Sequence, residues 1–547
     1  MAVSAPDASV TASPPGRGEG TTSLWWRFGI ADLLLLVLVL GTMQRSQGSM
    51  LDDPGLGWHL RHLDAMWAEG GWLTRDPFSG PQGGQPWRTN QWLGDLLLTL
   101  GWWWGGLEGI AAVTTLVLAF TFRFLYRILL ADRVPWPLAL AWTLLAALGT
   151  SLSWVARPNV FNLPLVMLTA WMLDRYHRGG CSRRATWWLV PVFALWANTH
   201  GGFVAGLLIV ATSWGVEWGS SLRGQRAARE AARQRFRHLA CLFPACLAAT
   251  LVNPYGWSLY PWIFQLLGNT YYMNLHTEWL SPDFHAEGAF RFELLMLAFP
   301  LLLAVARRRS ISVMALVQSM IWLHFAWNGQ RYIGLWVMIS VPLMARLSVD
   351  ALSLLARWAG RGWPFPSFAQ PAASPLAAAL IVLALLAWAR GTDGYSYHNP
   401  RQIPTAALRY VVRHHAGQVV FHDYAWGGWL VWHGWPSIHS WIDDRNEVQG
   451  RPHIERYFRT MQARPGWQQS LNRSGTQVAC LPIDSPLAER LGEAEGWQLR
   501  YRDDDAVVYE RAAEDSVQAA RPENTASPTK PAPAGENRKL SLLREAH

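Results

Sequence analysis

The residues that could do chemistry crowd a stretch near the N-terminus. Asp52-Asp53-Pro54 is followed by Trp58-His59-Leu60, Asp76-Pro77-Phe78-Ser79 and Asn90-Gln91-Trp92-Leu93. A carboxylate held beside a hydroxyl can take its proton as a new bond forms. Carboxylates can also hold a divalent cation that bridges phosphate oxygens. The competing reading is local: Asp53 caps a helix, and Asp76 closes a turn with Pro77. Spacing alone leaves both open. More polar clusters lie further along: Arg157-Pro158-Asn159, Asn198-Thr199-His200-Gly201-Gly202, Asn253-Pro254-Tyr255-Gly256 with Glu278-Trp279 and Asp283 behind it, and Asn328-Gly329-Gln330-Arg331. A single His in a tight turn is ordinarily structural. Arginines facing carboxylates would instead suit a phosphate and an activated hydroxyl sharing one cleft.

Whether these clusters meet depends on the elements between them. The chain has 547 residues, of which 51% are hydrophobic and 16% charged. A soluble chain of that length would divide into several cores. Here apolar runs recur instead, at about 25–43, 107–128, 134–150, 158–174, 185–198, 203–221, 238–252, 291–306, 311–327, 332–349 and 373–390. By the length rule these runs predict about eleven membrane spans. Arginines mark alternate loops. Arg123, Arg127 and Arg133 follow the second run, and Arg175, Arg178, Arg183 and Arg184 follow the fourth. Arg223, Arg226, Arg229, Arg233, Arg235 and Arg237 follow the sixth, Arg307, Arg308 and Arg309 the eighth, and Arg357 and Arg361 the tenth. The positive-inside rule makes that side cytoplasmic, together with the N-terminus, and puts the C-terminal part and all the polar clusters on the periplasmic side.

Two segments strain this scheme. Ala185–Asn198 is short and contains Pro191, yet it must cross if the later arginines are to stay on the same side. Trp92–Trp104 is also short and carries Asp95, which predicts an interfacial or re-entrant helix. Arg157 breaks the charge pattern and is costly where it stands unless it is paired. The net charge of +9 lies largely in the short cytoplasmic loops, which argues against a nucleic-acid partner. The 35 tryptophans read as interfacial belts. The four cysteines form neither a metal-binding nor a disulfide pattern.

Residues 1–24 are expected to be a disordered cytoplasmic N-terminus, and 25–391 a transmembrane domain with an outer loop at 44–106. Residues 392–512 are expected to form a periplasmic α/β domain, followed by a disordered tail at 513–547. Within the outer domain, Val419–Phe421, Ile438–Ile442 and Gln477–Leu481 read as buried strands. Ser485 caps a helix that begins at Pro486. Asp503-Asp504-Asp505 turns a hairpin between Trp497–Arg502 and Ala506–Arg511. The fold class is therefore mainly α: a polytopic helical membrane protein with a small α/β domain at its C-terminus.

A resemblance joins these pieces. Asp53-Pro54 with Trp58-His59-Leu60, Asp76-Pro77-Phe78-Ser79, Trp92-Leu93, Arg157-Pro158, Trp196 to Gly202, Asn253-Pro254-Tyr255-Gly256 and Arg331 resemble a bacterial membrane family that looks like part of the C-type glycosyltransferase (GT-C) superfamily. Protein O-mannosyltransferases, aminoarabinose transferases and oligosaccharyltransferases belong to that superfamily. The resemblance extends over about residues 25–510, including Trp426-Gly427-Gly428 and Ile442-Asp443-Asp444-Arg445. It implies an inner-membrane enzyme that transfers a hexosyl or pentosyl unit from a polyprenyl-phosphate donor, amid membrane lipid, to an envelope glycan, lipid or protein. It also implies a carboxylate of the first outer loop at the reacting centre, where Asp53 fits best and Asp76 takes a second acidic position. His59, Arg157, Asn159, His200, Asn253 and Arg331 are the expected substrate-binding residues, with Arg157 and Arg331 neutralising the lipid phosphate. No definite cofactor is implied, and a divalent cation (Mg or Mn) is left open. One departure matters. The family usually has an acidic residue just before Trp92, where this chain has Gln91, so the base is assigned to Asp53.

Two other readings compete. A transporter or lipid flippase should carry ionisable residues at mid-span and matching interrupted helices in two halves. His324 and Glu217 instead fall near span ends. An envelope-assembly protein would work through the outer domain, by way of exposed tryptophans at 429, 432 and 435.

Overall fold

The computed structural model describes residues 29–46, 50–286, 288–307, 310–361, 374–391 and 403–512. The expected disordered ends at 1–24 and 513–547, and Arg308 and Arg309, lie outside the described residues. Among these, Trp92–Ala131, Phe203–Ser221 and Gln330–Trp358 are long and apolar enough to cross a membrane, and Ile30–Met43, Trp136–Gly149 and Pro375–Arg390 are shorter apolar helices. The expected eleven spans thus reduce to three helices that qualify by length and composition.

The first of these three is not straight. Gly105 and Gly106 leave helical geometry, Gly106 with φ 62° and ψ −141°, a region open mainly to glycine. The chain doubles back there: a Cβ on Gly101 would lie 2.7 Å from the Gly109 carbonyl oxygen, whereas an unbroken helix would separate these residues by about 12 Å. Trp92–Trp104 is therefore one arm of a helical hairpin packed on the arm that follows. Another expectation needs correcting. The arginines at 226–237 lie on the first turns of a continuous helix, Arg226–Ala249, and not in a loop. Ala and Arg are both strong helix formers, and Gly and Pro do not interrupt the arginine-rich half.

Ion pairs tie one set of helix ends together. Asp132 accepts from Arg178 at 3.0 Å and Arg346 at 2.7 Å, and Asp174 from the same arginines at 2.9 and 3.3 Å. Glu217 meets His177 at 2.7 Å and Arg235 at 2.9 Å. The ends of the second, fourth, sixth and tenth apolar runs thus share one face, as the arginine alternation requires.

Residues 403–512, expected to be the outer domain, carry a five-stranded sheet whose spatial order is His439–Ser440, Val419–His422, Val478–Pro482, Ala506–Arg511 and Trp497–Arg502. Its strands are β1 (Val419–His422), β2 (His439–Ser440), β3 (Val478–Pro482), β4 (Trp497–Arg502) and β5 (Ala506–Arg511). β2, β1 and β3 are parallel, while β5 and β4 form the antiparallel hairpin. Ser485 accepts from the Ala488 N–H as the expected cap. Helix Thr405–His414 covers one face of the sheet with Ala407, Leu408 and Val411, and Ile454, Tyr457 and Leu487 bury the other.

The outer domain docks on the first outer loop through backbone and glycine contacts. Gly80 N–H donates to Ser440 O at 2.8 Å, and Ser440 N–H to Phe78 O at 3.3 Å. A Cβ on Gly57 would lie 1.8 Å from Gly428 O, and one on Gly428 1.7 Å from Pro54 O. The tryptophans expected to be exposed are not: Trp429 belongs to the core of the C-terminal domain, and Trp432 and Trp435 are part of this joint. Trp429 and Trp432 are 4% and 5% exposed. Trp432 meets the Trp102 ring edge-on at 4.8 Å, and Trp435 Nε1–H donates to Pro77 O at 3.1 Å. Gly428→Ala should push the joint apart and cost about 1–3 kcal/mol, as overpacking does. A lowered unfolding temperature checks this, and an unchanged one would mean the contact relaxes freely.

Candidate active site at the outer domain joint

Three segments distant in sequence meet at one guanidinium. Asp53 closes its own turn by accepting from the Gly55 N–H at 2.8 Å, just before helix Leu56–Glu69. Arg157 is extended because Pro158 follows it, with φ −131° and ψ 158°. Its Nε lies 3.1 Å from Asp53 Oδ1 and its Nη2 3.1 Å from Asp444 Oδ2. Asp444 Oδ1 in turn accepts from Trp58 Nε1–H at 3.0 Å. A Cβ on Gly55 would fall 2.6 Å from Asp444 Oδ2, so the missing side chain leaves room for the convergence. The Asp53, Asp444 and Arg157 side chains are 9%, 6% and 23% exposed, so the arginine is the most accessible of the three.

Burial pushes the Asp53 carboxyl above its ordinary range; Arg157 opposes this and Asp444 adds to it. A raised carboxyl is the better proton acceptor. Burial also works against charge on Arg157, but Asp53, Asp444 and Glu278 outweigh it and hold the guanidinium protonated.

A second ion pair borders the first. Arg331 Nη1 lies 3.4 Å from Glu278 Oε1, and its guanidinium stacks 3.8 Å from the Trp279 ring centre. Arg331 and Arg157 hold Glu278 below the usual carboxylate range against the effect of burial. Burial, then Arg331, His59 and Arg157, push His200 down to about 3. Its Nδ1 accepts from Gly202 N–H and Asn162 Nδ2–H, both at 2.9 Å, which makes Nε2 the protonated nitrogen. Tyr424 OH donates to Asn446 Oδ1 at 2.8 Å, and Asn446 Nδ2–H to His276 Nε2 at 2.7 Å. His59 stacks on Trp58 at 3.6 Å, and its Nδ1 meets the buried Asp95 at 2.6 Å, where His62 Nδ1 also arrives at 2.5 Å.

The expected site residues therefore divide. Asp53, His59, Arg157, His200 and Arg331 gather in one electrostatic neighbourhood. Asn159 lies two residues beyond Arg157 and has a buried Oδ1 with no hydrogen-bond partner among the described residues. Asn253 closes its own turn, donating to Thr250 O at 2.7 Å and accepting from Tyr255 N–H at 2.8 Å.

Asp76 sits elsewhere. It is 3% exposed and accepts from the Phe78 and Ser79 N–H groups at 3.1 Å and from Arg445 at 2.6 Å. Arg445 also grips Asp443 and lies 4.7 Å from the Trp87 ring centre. The local reading of a closed turn holds for Asp76, with an inter-segment ion pair added. Sequence reasoning left out Asp444, Glu278, His276, Tyr424 and Asn446. Asp444 and Glu278 stood in noted motifs, but Asp444 lies 287 residues from Arg157, and pairing at that range has no local signal.

A cation set is not assembled here: among the described residues no three His, Cys, Asp or Glu side chains gather as metal ligands. Arg157 supplies the positive charge between the two carboxylates.

The helical body with its small C-terminal α/β domain has a fold shared with solved glycosyltransferase structures. Among solved structures the chain is similar to the archaeal oligosaccharyltransferase AglB from Archaeoglobus fulgidus in complex with an inhibitory peptide and a dolichol-phosphate. That match has a TM-score of 0.50 and 13% identity, and covers 90% of this chain and 74% of that one. The chain is also similar to ArnT from Cupriavidus metallidurans bound to undecaprenyl phosphate, at TM-score 0.48 and 13% identity over 89% and 98% of the two chains. A match to the arabinofuranosyltransferase AftD from Mycobacteria has TM-score 0.47 and 17% identity over 89% of this chain, which spans only 41% of AftD. No family model and no curated protein matches the sequence.

Proposed function

We propose that the chain is a membrane glycosyltransferase that moves a sugar from a polyprenyl-phosphate donor to an envelope acceptor on the periplasmic side of the inner membrane. The observation that carries this reading is the Asp53–Arg157–Asp444 bridge, with the Arg331–Glu278 pair near enough for Glu278 to feel Arg157. Asp53 takes the proton of the acceptor hydroxyl as that oxygen bonds to the sugar's anomeric carbon. The bond from that carbon to the phosphate breaks, and the phosphate leaves with the electron pair. Arg331 meets the charge that develops on it. Arg157 was expected to share this task, but its Nε and Nη2 are spent on carboxylates, and it serves to hold Asp53. His200 donates from Nε2 and His59 lines the cleft, while Asp76 takes no part in the chemistry. The span count, the orientation of the termini and the nature of sugar and acceptor are part of the proposal.

The donor side has its own test. Arg grips two phosphate oxygens with a planar fork and stacks on an indole, whereas Lys offers a point charge. Arg331→Lys should therefore raise the Kd for the lipid-phosphate donor by about tenfold or more, equivalent to roughly 1.4 kcal/mol, with expression and membrane insertion intact. Donor affinity equal to wild type would mean that Arg331 only snorkels to the head groups.

A further inference from the structure

We infer that Asp444 is a positioning residue for the transfer, so that the site is complete only when the outer domain is docked. The inference rests on the function proposed above and concerns how its base is held.

Among the described residues, Asp444 is the one carboxylate of the C-terminal domain that pairs with Arg157. Its two oxygens are used in different directions, Oδ2 on Arg157 at 3.1 Å and Oδ1 on Trp58 at 3.0 Å. It thus fixes both the guanidinium that holds Asp53 and the indole on which His59 stacks. The segment that presents it is itself held. Arg445, the next residue, is buried between Asp443 and Asp76, and the Gly57–Gly428 and Gly428–Pro54 approaches allow no slack. The carboxylate is therefore delivered by a rigid joint and not by a free loop.

The chemical consequence follows from charge. Arg157 is shared between two carboxylates. Without the charge of Asp444 it would belong to Asp53 alone, bind it more tightly, and make it a weaker proton acceptor. The groups that face Asp53 are Arg157, Asp444 and His59. Only the loss of Asp444 both removes a negative charge and releases one arm of the guanidinium.

The test uses the purified full chain, with Asp444→Asn and Asp444→Glu compared with wild type in transfer from a polyprenyl-phosphate sugar. Asp444→Asn should lower kcat by about 10- to 100-fold through misplacement of the base, leave the donor KM unchanged, and move the acid limb of the kcat profile to lower pH. Asp444→Glu keeps the charge but shifts it by one methylene, so it should keep the acid limb in place while losing part of kcat. Thermal unfolding separates misfolding from misplacement: if Asp444→Asn does not fold, a folded Asp444→Glu with reduced kcat supports the inference. Wild-type kcat and pH profile in either folded variant would overturn it while leaving the proposed function standing. No transfer by the wild-type chain would overturn both.

Discussion

Asp53→Asn is expected to reduce kcat for sugar transfer by a factor on the order of 10² to 10⁴, the range for loss of a general base. The substitution keeps the shape of the side chain and its acceptor oxygen for the Gly55 N–H. It removes the charge that Arg157 holds and the site that would take the proton. Donor binding should persist, because the Arg331–Glu278 pair does not depend on it. Kinetics in which kcat falls and the donor Kd stays constant would match this account. Full transfer by Asp53→Asn would remove the assigned role and direct attention to His59, whose imidazole is already oriented by Asp95.

The second large effect concerns stability. Arg445→Met should destabilise the joint between the outer domain and the first outer loop by roughly 3–5 kcal/mol, the usual cost of removing one partner from a buried ion pair. Asp76 and Asp443 would both be left as buried carboxylates, and the cation–π contacts of Arg445 with Phe78 and Trp87 would be lost. Earlier proteolysis of the outer domain and a lowered unfolding temperature are the readouts. Replacing all three charges with apolar residues of similar volume should restore much of the stability. If Arg445→Met alone unfolds like wild type, the joint is held chiefly by Gly428 and the backbone hydrogen bonds.

The sequence carried the outer domain well, because its signals are local. Short apolar runs mark β1 and β3, Ser485 and Pro486 start a helix, and three aspartates turn the β4–β5 hairpin. Several helix ends that the alternating arginines mark are joined by ion pairs, and charge placement is a property of each loop by itself. The reading failed where an answer depended on pairing at long range. Trp432 looks exposed until Trp102 and the first outer loop cover it, and nothing near Asp76 in sequence shows that Arg445 pairs with it from the C-terminal domain. Arg157 read as a phosphate ligand, because nothing nearby in sequence shows that Asp53 and Asp444 both claim it. Its unusual place in the charge pattern did say that it must be paired, and that was the most informative anomaly in the chain.

The central claim is that sugar leaves a lipid phosphate in the cleft around Asp53. The direct measurement is incubation of the purified full chain in lipid nanodiscs with hexosyl and pentosyl polyprenyl-phosphate donors and an envelope acceptor fraction, following cleavage of the donor. The account predicts that wild type releases polyprenyl phosphate and labels the acceptor, while Asp53→Asn leaves the donor intact. Intact donor with wild type across both sugar classes would contradict it, and movement of that donor between leaflets without cleavage would place the chain among the flippases instead.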